Sequence, residues 1–393
     1  MDGPATKNPY PWWKLKIWHG MTLAGWLTLL ARYRCAVSPS RLHRFATVLV
    51  ISVFSQLLAI VQRVRYAGRI DRSELPAPVF IIGHWRTGST FLHELMAVDD
   101  RFVTPNAMQC MCPDHFLVSR PAIGALEFLL PENRPMDDFE VRWNAPQEDE
   151  FALLAMGARS PYEMFAFPRA YRRALAALDV DALPGRQKKA WQRRFVRFLK
   201  TVAFDSSQRG GPRAGAGRRP QYMLLKSPTH TARLGLLARM FPDARFIHLT
   251  RDRQGLFASS VSLWRALLAT QSLHPAPRLT AEGGDFLPAL ALDAFDALYA
   301  NFERDRAGIG EARVIDVRFA DLTREPLETM TRLYRQLGIP LDERAAARLS
   351  RRIDEFRSYE AARHRLQPEQ EALVGERWAH YPDRYMGARP APE

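Results

Sequence analysis

A short loop bounded by Gly83 and Gly88 contains one arginine, Arg86, and is followed directly by Ser89 and Thr90. The backbone N–H groups of such a loop point into a concavity, and a helix that follows it adds partial positive charge. The pattern therefore predicts an anion site, with phosphate or sulfate as the guest. Nucleoside triphosphatase loops place lysine before the serine or threonine. Here that position is Ser89, and the cation has moved into the loop at Arg86, which suits a terminal group smaller than a metal-bound triphosphate.

Two further pairs of polar residues follow apolar runs later in the chain. Lys226 ends one run and is followed by His230, while Arg251 ends another and precedes Ser259. A lysine or arginine at the end of a buried strand suits the binding of a charged group. Either residue could also be an ordinary strand-terminal charge, and His230 could be a capping or packing histidine.

An acidic stretch, Pro146 to Glu150, leads into an apolar segment. We place the helix cap at Asn144 or Ala145 and Pro146 at the first helical position, so that three acids occupy the opening turn. Acids at this end of a helix are stabilised by the helix dipole without any catalytic role. The pattern therefore leaves a catalytic and a purely structural role open for Glu148 and its neighbours.

The elements that must position these side chains alternate between strand and helix. Apolar runs bounded by glycine, proline or polar residues predict strands at 79–82, 222–225, 244–250 and 313–319. Helical spacing predicts a helix directly after Gly88 and others at 186–204, 231–241, after Arg251, and from Pro326 to Gly338. This order predicts an α/β fold with a P-loop-like parallel sheet flanked by helices. Arg86, Lys226 and Arg251 should then gather at the carboxyl ends of the strands.

Composition narrows the classes of partner. The chain has 393 residues, 47% hydrophobic residues and a net charge of +14, which favours acidic ligands, an anionic membrane surface or nucleic acid. No zinc-finger spacing or RNA-binding motif is present, so we expect no nucleic acid partner. The three cysteines, Cys35, Cys110 and Cys112, lack metal-ligand spacing and predict a reducing, cytoplasmic compartment. The oligomeric state cannot be read from the sequence, and an oligomer remains open.

Residues 1–75 differ from the remainder of the chain. Tryptophans alternate with basic and apolar residues before position 35, and a 17-residue apolar run, 45–61, is flanked by arginines. This mixture is typical of a helix that lies at a membrane surface. A helical hairpin packed on the main domain is an equal alternative, and a membrane span is less favoured because the run is short and contains polar residues. We therefore divide the chain into a helical segment, 1–75, and an α/β domain, 76–393.

Taken together, Gly83 to Leu92, Leu224 to His230 and Arg251 to Ser259 resemble the sulfotransferases that use 3′-phosphoadenosine-5′-phosphosulfate as sulfuryl donor. The likeness spans residues 76–386 and implies the sulfotransferase fold. The Leu225 to Pro228 motif and the acidic segment at 146–150 resemble a bacterial branch that modifies hydrophobic alcohols. Two departures stand out. Phe91 replaces the tryptophan that often stacks on adenine. The family's Arg-Lys-Gly segment is absent, and Arg363, His364 or Arg365 could take its place, of which we choose Arg365.

The resemblance implies a role for each matched residue. The donor's 5′-phosphosulfate would be held by the loop residues Arg86, Thr87, Gly88, Ser89 and Thr90, with Phe91 beside them, and its 3′-phosphate by Arg251 and Ser259. Arg86 and Lys226 would stabilise the charge that develops during in-line transfer. We favour Glu148 as the base, with Asp149, Glu150 and His230 as alternatives. We expect no metal requirement and a hydrophobic alcohol or lipid as acceptor.

Two other functions remain open from the sequence. A P-loop kinase or nucleotide hydrolase would use the same kind of loop, although the missing lysine before Ser89 argues against it. A catalytically idle protein that binds a membrane surface would keep the fold as a scaffold. The localisation that we expect is cytoplasmic, with peripheral contact to the inner face of the membrane.

Overall fold

The structure, a computed structural model, describes residues 6–11, 13–137, 139–209, 220–356, 366–379 and 381. Its Cα positions separate into two compact units. The first, called the helical unit, comprises Met1–Pro76, Thr104–Arg219 and Ser262–Ala289. The second, called the sheet unit, comprises Ala77–Val103, Pro220–Val261 and Leu290–Glu393. The N-terminal segment thus shares its unit with two later stretches of the chain.

Helices make up most of the regular structure in the described part of the chain. In chain order they are α1 (Leu23–Arg32), α2 (Leu42–Asp71), α3 (Ser89–Met96), α4 (Ala107–Met111), α5 (Phe116–Gly124), α6 (Asp149–Ala155), α7 (Tyr171–Leu175), α8 (Gly185–Gln208), α9 (Leu234–Met240), α10 (Arg253–Gln271), α11 (Phe286–Arg306), α12 (Phe319–Arg324), α13 (Pro326–Gln336), α14 (Glu343–Glu355) and α15 (Pro368–Arg377).

The sheet unit is built on a five-stranded sheet formed by the described residues. Its strands are β1 (Ala77–Gly83), β2 (Phe102–Val103), β3 (Tyr222–Lys226), β4 (Arg245–Thr250) and β5 (Val314–Arg318). They lie in the order β2-β3-β1-β4-β5, and every neighbouring pair is parallel. The predicted parallel sheet is therefore confirmed. Because β1 lies at its centre, the loop after β1 begins between the ends of β3 and β4.

Apolar side chains from the strands and the helices form the core of the sheet unit. Val79 and Ile81 of β1 pack in one cluster with Leu92 of α3 and with Met330 and Leu333 of α13. All of them are buried. β1 reads as a continuous apolar run because both of its faces are covered, as in other parallel sheets.

The sheet unit differs from the sequence predictions in two details. The helix predicted at 231–241 is instead a 3₁₀ helix, Pro228–Arg233, followed by the shorter α9. Proline sets the backbone at the first position of that turn, and Ser227 before it is extended. A short helix that we did not predict, α12, follows β5 directly.

The helical unit contains the apolar N-terminal run and the basic amphipathic helix. The run predicted at 45–61 lies inside α2. With the turn before it, α2 is long and apolar enough to cross a bilayer, and 22% of its most apolar stretch is buried inside the protein. The basic helix predicted at 186–204 is α8, and its apolar side is buried through Trp191, Phe195 and Phe198. Both helices were thus predicted correctly.

Candidate active site

The loop after β1 has an unusual backbone at three positions. Gly83, Arg86 and Gly88 have φ angles of 139°, 73° and 89°. A side chain at Gly83 would place its Cβ 2.3 Å from the Leu249 carbonyl oxygen, so glycine is required there. Arg86 is not glycine, and a left-handed conformation at such a residue is uncommon and tends to cluster at functional sites.

Hydrogen bonds within the sheet unit hold this loop. The Thr87 hydroxyl donates to the His84 carbonyl over 2.8 Å, and the Gly83 N–H donates to the Thr231 hydroxyl over 2.7 Å. Burial lowers the pKa of His84 to about 4, although a hydrogen bond to the Trp85 carbonyl opposes that shift. His84 is therefore a neutral, packed side chain at neutral pH, and the loop rests on buried structure.

The helix that follows the loop begins without a side-chain cap among the described residues. Gly88 is the N-cap of α3, and no acidic residue lies in the first turn. The first N–H groups of an α-helix have no partner inside the helix. Together with the positive end of the helix dipole, they form a site suited to an anion. The loop and the start of the helix lie at the residues that the glycine spacing predicted, and anion binding there stays a prediction.

Gly88 offers a direct test of this geometry. A Cβ built on Gly88 would lie 2.3 Å from the ring of Phe319, and the φ of 89° disfavours any other residue. We expect Gly88→Ala to lower the free energy of unfolding by at least the roughly 1–2 kcal/mol that a left-handed conformation costs a non-glycine residue. Gly375→Ala is the matched control, since Gly375 lies in α15 with open space around it. In denaturant titration the control should be neutral or stabilising, and equal stabilities for the two variants would contradict the loop geometry.

Arg86, Ser259 and Arg251 lie together in the sheet unit. The Arg86 Nε donates to the Ser259 hydroxyl over 2.9 Å, and an Arg251 guanidinium N–H donates to the Arg86 carbonyl over 3.0 Å. Arg251 also lies over the ring of Phe319, with 4.8 Å between the guanidinium carbon and the ring centroid. Two positive side chains and a hydroxyl therefore converge beside the N-terminus of α3.

Lys226 and His230 follow the neighbouring strand. Lys226 is the last residue of β3 and is 2% exposed, and its strand pairs with β1 so that it lies beside Ile81. His230 is fully buried, and its ring meets the ring of Phe80 edge to face at 5.5 Å. His230 is thus packed against β1.

His93 of α3 is a neighbour of Lys226 that the sequence did not reveal. Burial, with the Lys226 ammonium as the second cause, lowers the pKa of His93 well below its usual value. His93 is thus neutral at neutral pH and adds no positive charge beside Lys226. Its position one helical turn after Ser89 was visible in the sequence, but its approach to β3 depends on how α3 packs.

The acidic segment lies in the helical unit, and its predicted start was wrong. The helix begins at Asp149 rather than at Pro146, and Glu148 is its extended N-cap. The backbone before it is engaged elsewhere, since Ala145 O accepts from Ala107 N and Gln147 N donates to Pro105 O, each over 2.9 Å. These bonds to a distant segment keep 145–147 out of the helix.

The three acids differ in their surroundings. Glu148 is half-buried and accepts a hydrogen bond from the hydroxyl of Tyr162. Glu150 is fully buried and accepts from the Ser160 hydroxyl over 2.6 Å, and Asp149 is fully buried as well. Of these three acids, Glu148 therefore retains exposure to solvent. Tyr162, 14 residues away, could not have been paired with it from the sequence.

Two predicted donor-binding residues remain. Phe91 of α3 is half-buried, and its ring meets that of Phe356 edge to face at 5.1 Å. Arg365 lies outside the described residues. Across the described ranges, no group of three or more histidine, cysteine, aspartate or glutamate side chains is arranged to hold a metal ion.

Known proteins are similar to this chain over most of its length. The model of the sulfotransferase family matches residues 78–343. Omega-hydroxy-beta-dihydromenaquinone-9 sulfotransferase Stf3 from Mycobacterium tuberculosis and its namesake from Mycobacterium bovis are each 32% identical over 382 residues, which cover 97% of this chain and 94% of the relative.

Two solved structures are similar in fold. Sulfotransferase STF1 from Mycobacterium tuberculosis has a TM-score of 0.64 at 21% identity, and the match covers 91% of this chain and 92% of that one. Sulfotransferase STF9 from Mycobacterium avium has a TM-score of 0.60 at 18% identity, with coverage of 93% and 97%. These likenesses confirm the predicted fold class. Because the family model matches more than half of the chain and relatives at 32% identity align with nearly all of it, this protein belongs to the sulfotransferase family and is a sulfotransferase enzyme.

Proposed function

We propose that this enzyme transfers a sulfuryl group from 3′-phosphoadenosine-5′-phosphosulfate to the hydroxyl of a lipid-soluble alcohol. The observation that carries the proposal is the N-terminus of α3 next to the cluster of Arg86, Ser259 and Arg251. It combines the backbone amides and Arg86 for one anionic group with Arg251 and Ser259 for another. A donor that carries phosphate at both its 5′ and 3′ positions matches both features.

The residues of the sheet unit fit the donor. The backbone amides of Gly88, Ser89 and Thr90 would hold the 5′-phosphosulfate, with Thr87 beside them in the loop. The absence of a Cβ at Gly88 lets the ring of Phe319 pack against the loop. Arg251 and Ser259 would hold the 3′-phosphate, which distinguishes this donor from ATP. Phe91 would lie beside the nucleotide, as the family likeness implies, and Arg365 would contact the donor in place of the absent Arg-Lys-Gly segment.

The chemistry follows from charge and proton placement. When bound, the donor supplies the sulfuryl group and leaves as 3′-phosphoadenosine 5′-phosphate. Glu148 would take the proton of the acceptor hydroxyl as the oxygen of that hydroxyl forms the new bond to sulfur. Lys226 and Arg86 would stabilise the negative charge that grows on the bridging oxygen as the old bond to sulfur breaks. Asp149, Glu150 and His230 are alternative bases, and we expect the reaction to need no metal ion.

The four candidate bases differ in how far their side chains are exposed to solvent. Asp149, Glu150 and His230 are fully buried, and Glu150 and His230 are engaged by Ser160 and by the ring of Phe80. Glu148 is half-buried and accepts the hydroxyl of Tyr162. A base must come within hydrogen-bonding distance of the acceptor hydroxyl. Glu148 satisfies that requirement best, because part of its surface is open to solvent.

The relatives suggest the class of acceptor. Stf3 is named for a menaquinone that bears an omega-hydroxyl, and the identity of 32% extends over nearly the whole chain. We infer that the acceptor of this enzyme is likewise a terminal alcohol on a long apolar chain. We also infer that the enzyme is cytoplasmic and meets such an acceptor at the inner face of the membrane.

Product analysis tests the function. The purified full chain is incubated with 3′-phosphoadenosine-5′-phosphosulfate and an ω-hydroxylated menaquinone, and in parallel with the same quinone lacking the hydroxyl. We expect a product heavier by one SO₃ group from the first quinone only, with a chelator present. Product formation from ATP and magnesium, or no product from any long-chain alcohol, would contradict the proposal.

The variant Arg251→Ala tests whether Arg251 binds the 3′-phosphate of the donor. Removing a charge-assisted hydrogen bond should weaken binding of 3′-phosphoadenosine 5′-phosphate to Arg251→Ala by about tenfold to a hundredfold. Binding of adenosine 5′-phosphate, which has no 3′-phosphate, should change little. Isothermal titration calorimetry measures both constants, with the exposed Arg324→Ala as the control. Equal losses for the two nucleotides would show that Arg251 does not read the 3′-phosphate.

A further inference from the structure

The long helix α2 exposes the side of itself that a soluble protein would bury. Its large apolar side chains recur every three or four residues along one stripe, and Phe54 and Val64 of that stripe are 61% and 83% exposed. The stripe, which we call the apolar face, comprises Val50, Phe54, Leu57, Ile60, Val61 and Val64. A surface helix of a globular protein turns such a stripe towards the core.

The opposite side of α2 is polar and buried. Ser52, Ser55 and Gln62 are between 0% and 3% exposed. The Gln62 side-chain oxygen accepts from the Leu117 N–H over 2.8 Å, and that of Gln56 accepts from the Ala24 N–H over 3.2 Å. These bonds join α2 to α5 and to α1 inside the helical unit. The helix is therefore fixed to its own unit through its polar side, which leaves the apolar face directed outwards.

This arrangement argues against a membrane span. A spanning α2 would have to break its bonds to the backbone at Ala24 and Leu117 and carry the serines and glutamines into hydrocarbon, where unsatisfied polar groups are costly. A helix that lies flat in the membrane interface keeps those bonds and buries only its apolar face. The polar contacts thus choose between the two modes that the apolar run alone leaves open.

The charges of α2 identify the kind of membrane. Between Leu42 and Ile70 the helix contains no acidic residue. Its C-terminal part carries the exposed arginines Arg63, Arg65 and Arg69. Clusters of basic residues next to a membrane-binding helix are attracted to anionic headgroups. A protein partner or a second copy of this chain would need acidic side chains to match the same arginines.

We propose that α2 lies flat on an anionic phospholipid bilayer, with its apolar face inserted below the headgroups and its arginines among them. The biological purpose of this docking rests on the proposed function: docking brings the enzyme to the membrane in which a lipid acceptor dissolves. Its evidence is independent of that acceptor, since it consists of the burial and bonding of α2 itself.

Flotation of the full chain with vesicles tests the binding. We expect co-flotation with phosphatidylcholine vesicles that contain phosphatidylglycerol, and at least tenfold weaker binding to phosphatidylcholine alone. The double variant Phe54→Glu and Val61→Glu should lose binding by a similar factor. The matched control is Leu327→Glu and Leu373→Glu, which alters two exposed leucines of the sheet unit in the same way. Equal binding by both variants, or no binding by the wild type, would overturn the proposal.

Two measurements distinguish membrane docking of α2 from dimerisation through its apolar face and from a membrane span. If the apolar face were an interface between copies, Phe54→Glu and Val61→Glu would convert an oligomer to a monomer in light scattering, which would overturn the proposal. A fluorescent label is placed on Ser40→Cys, just before α2, or on Asp71→Cys, at its last residue; both positions are exposed and lie outside the apolar face. Each variant also carries Cys35→Ser, because Cys35 is the exposed thiol among the three free cysteines. A membrane-impermeant quencher added outside the vesicles should reach both labels. Protection of one label would indicate a span and would likewise overturn the proposal.

An activity assay distinguishes failure of this proposal from failure of the proposed function. The Phe54→Glu and Val61→Glu variant should keep wild-type turnover with a short, water-soluble hydroxyalkyl quinone and lose at least tenfold with a long-chain acceptor in vesicles. The variant Lys226→Met, for which we expect slow turnover, should float with vesicles as the wild type does. Vesicle binding without any quinone product would contradict the acceptor and leave the docking mode supported.

Discussion

Lys226→Met should lower kcat for sulfuryl transfer by about a hundredfold to a thousandfold, the loss seen when one preorganised charge-stabilising donor is removed from an active site. Lys226 is 2% exposed at the end of β3, so its ammonium lies in a region from which water is largely excluded. Methionine has nearly the same length and keeps the packing. The effect should therefore fall on turnover rather than on folding.

The controls for Lys226→Met separate charge from structure. Lys188→Met removes a half-exposed ion pair with Asp181, which should cost little because surface ion pairs contribute little to stability. Both variants should bind 3′-phosphoadenosine 5′-phosphate as the wild type does and should unfold at similar temperatures. If Lys226→Met kept a wild-type kcat, Lys226 would have no part in the transfer step.

Glu148→Gln should lower kcat by about a hundredfold to ten-thousandfold, the usual contribution of a general base. Glutamine keeps the size of the side chain and an oxygen for the Tyr162 hydroxyl, so the N-cap of α6 should persist. Steady-state kinetics with saturating donor measure the change. The exposed Glu140→Gln is the matched control, since it removes one carboxylate of the same unit outside the acidic segment.

Tyr162 allows a sharper version of the same test. Tyr162→Phe removes the hydroxyl that donates to Glu148 while leaving the ring stacked on Phe165 at 4.9 Å. We expect a smaller loss of kcat in the wild-type background and almost none in the Glu148→Gln background, because residues that act through one another are not additive. If Glu148→Gln were fully active and His230→Gln or Glu150→Gln were not, the base would be one of those residues.

The local elements of the sheet unit were predictable because their signals are local. β1 is recognised from a continuous apolar run, the loop from its two glycines, and α3 from the spacing of Leu92, Leu95 and Met96. The same holds for β3 and β4, at whose ends Lys226 and Arg251 follow as expected. Parallel strands place their carboxyl ends at one edge of a sheet, so the grouping of those residues followed from the element order.

The start of α6 shows where local signals fail. Pro146 and three acids form a strong helix-start pattern, yet the backbone at 145–147 pairs with a segment about 40 residues earlier. A proline at a helix start and a proline in an extended pairing look alike in sequence. Only contacts with a distant segment decide between them.

By itself the sequence determined the parallel α/β fold, the glycine-bounded loop and the order of the charged residues along the chain. Each strand, loop and helix depends on neighbours within one element, and the order of these elements sets the topology. Only the tertiary structure decided which residues meet. The Arg86 side chain reaches Ser259 across 173 positions, and the hydroxyl of Tyr162 reaches Glu148. It also decided which face of α2 is buried, since an apolar run alone leaves a packed hairpin, a surface helix and a span open. The polar contacts of Gln56 and Gln62 hold the polar side of α2 within the helical unit, and they form only when the chain has folded.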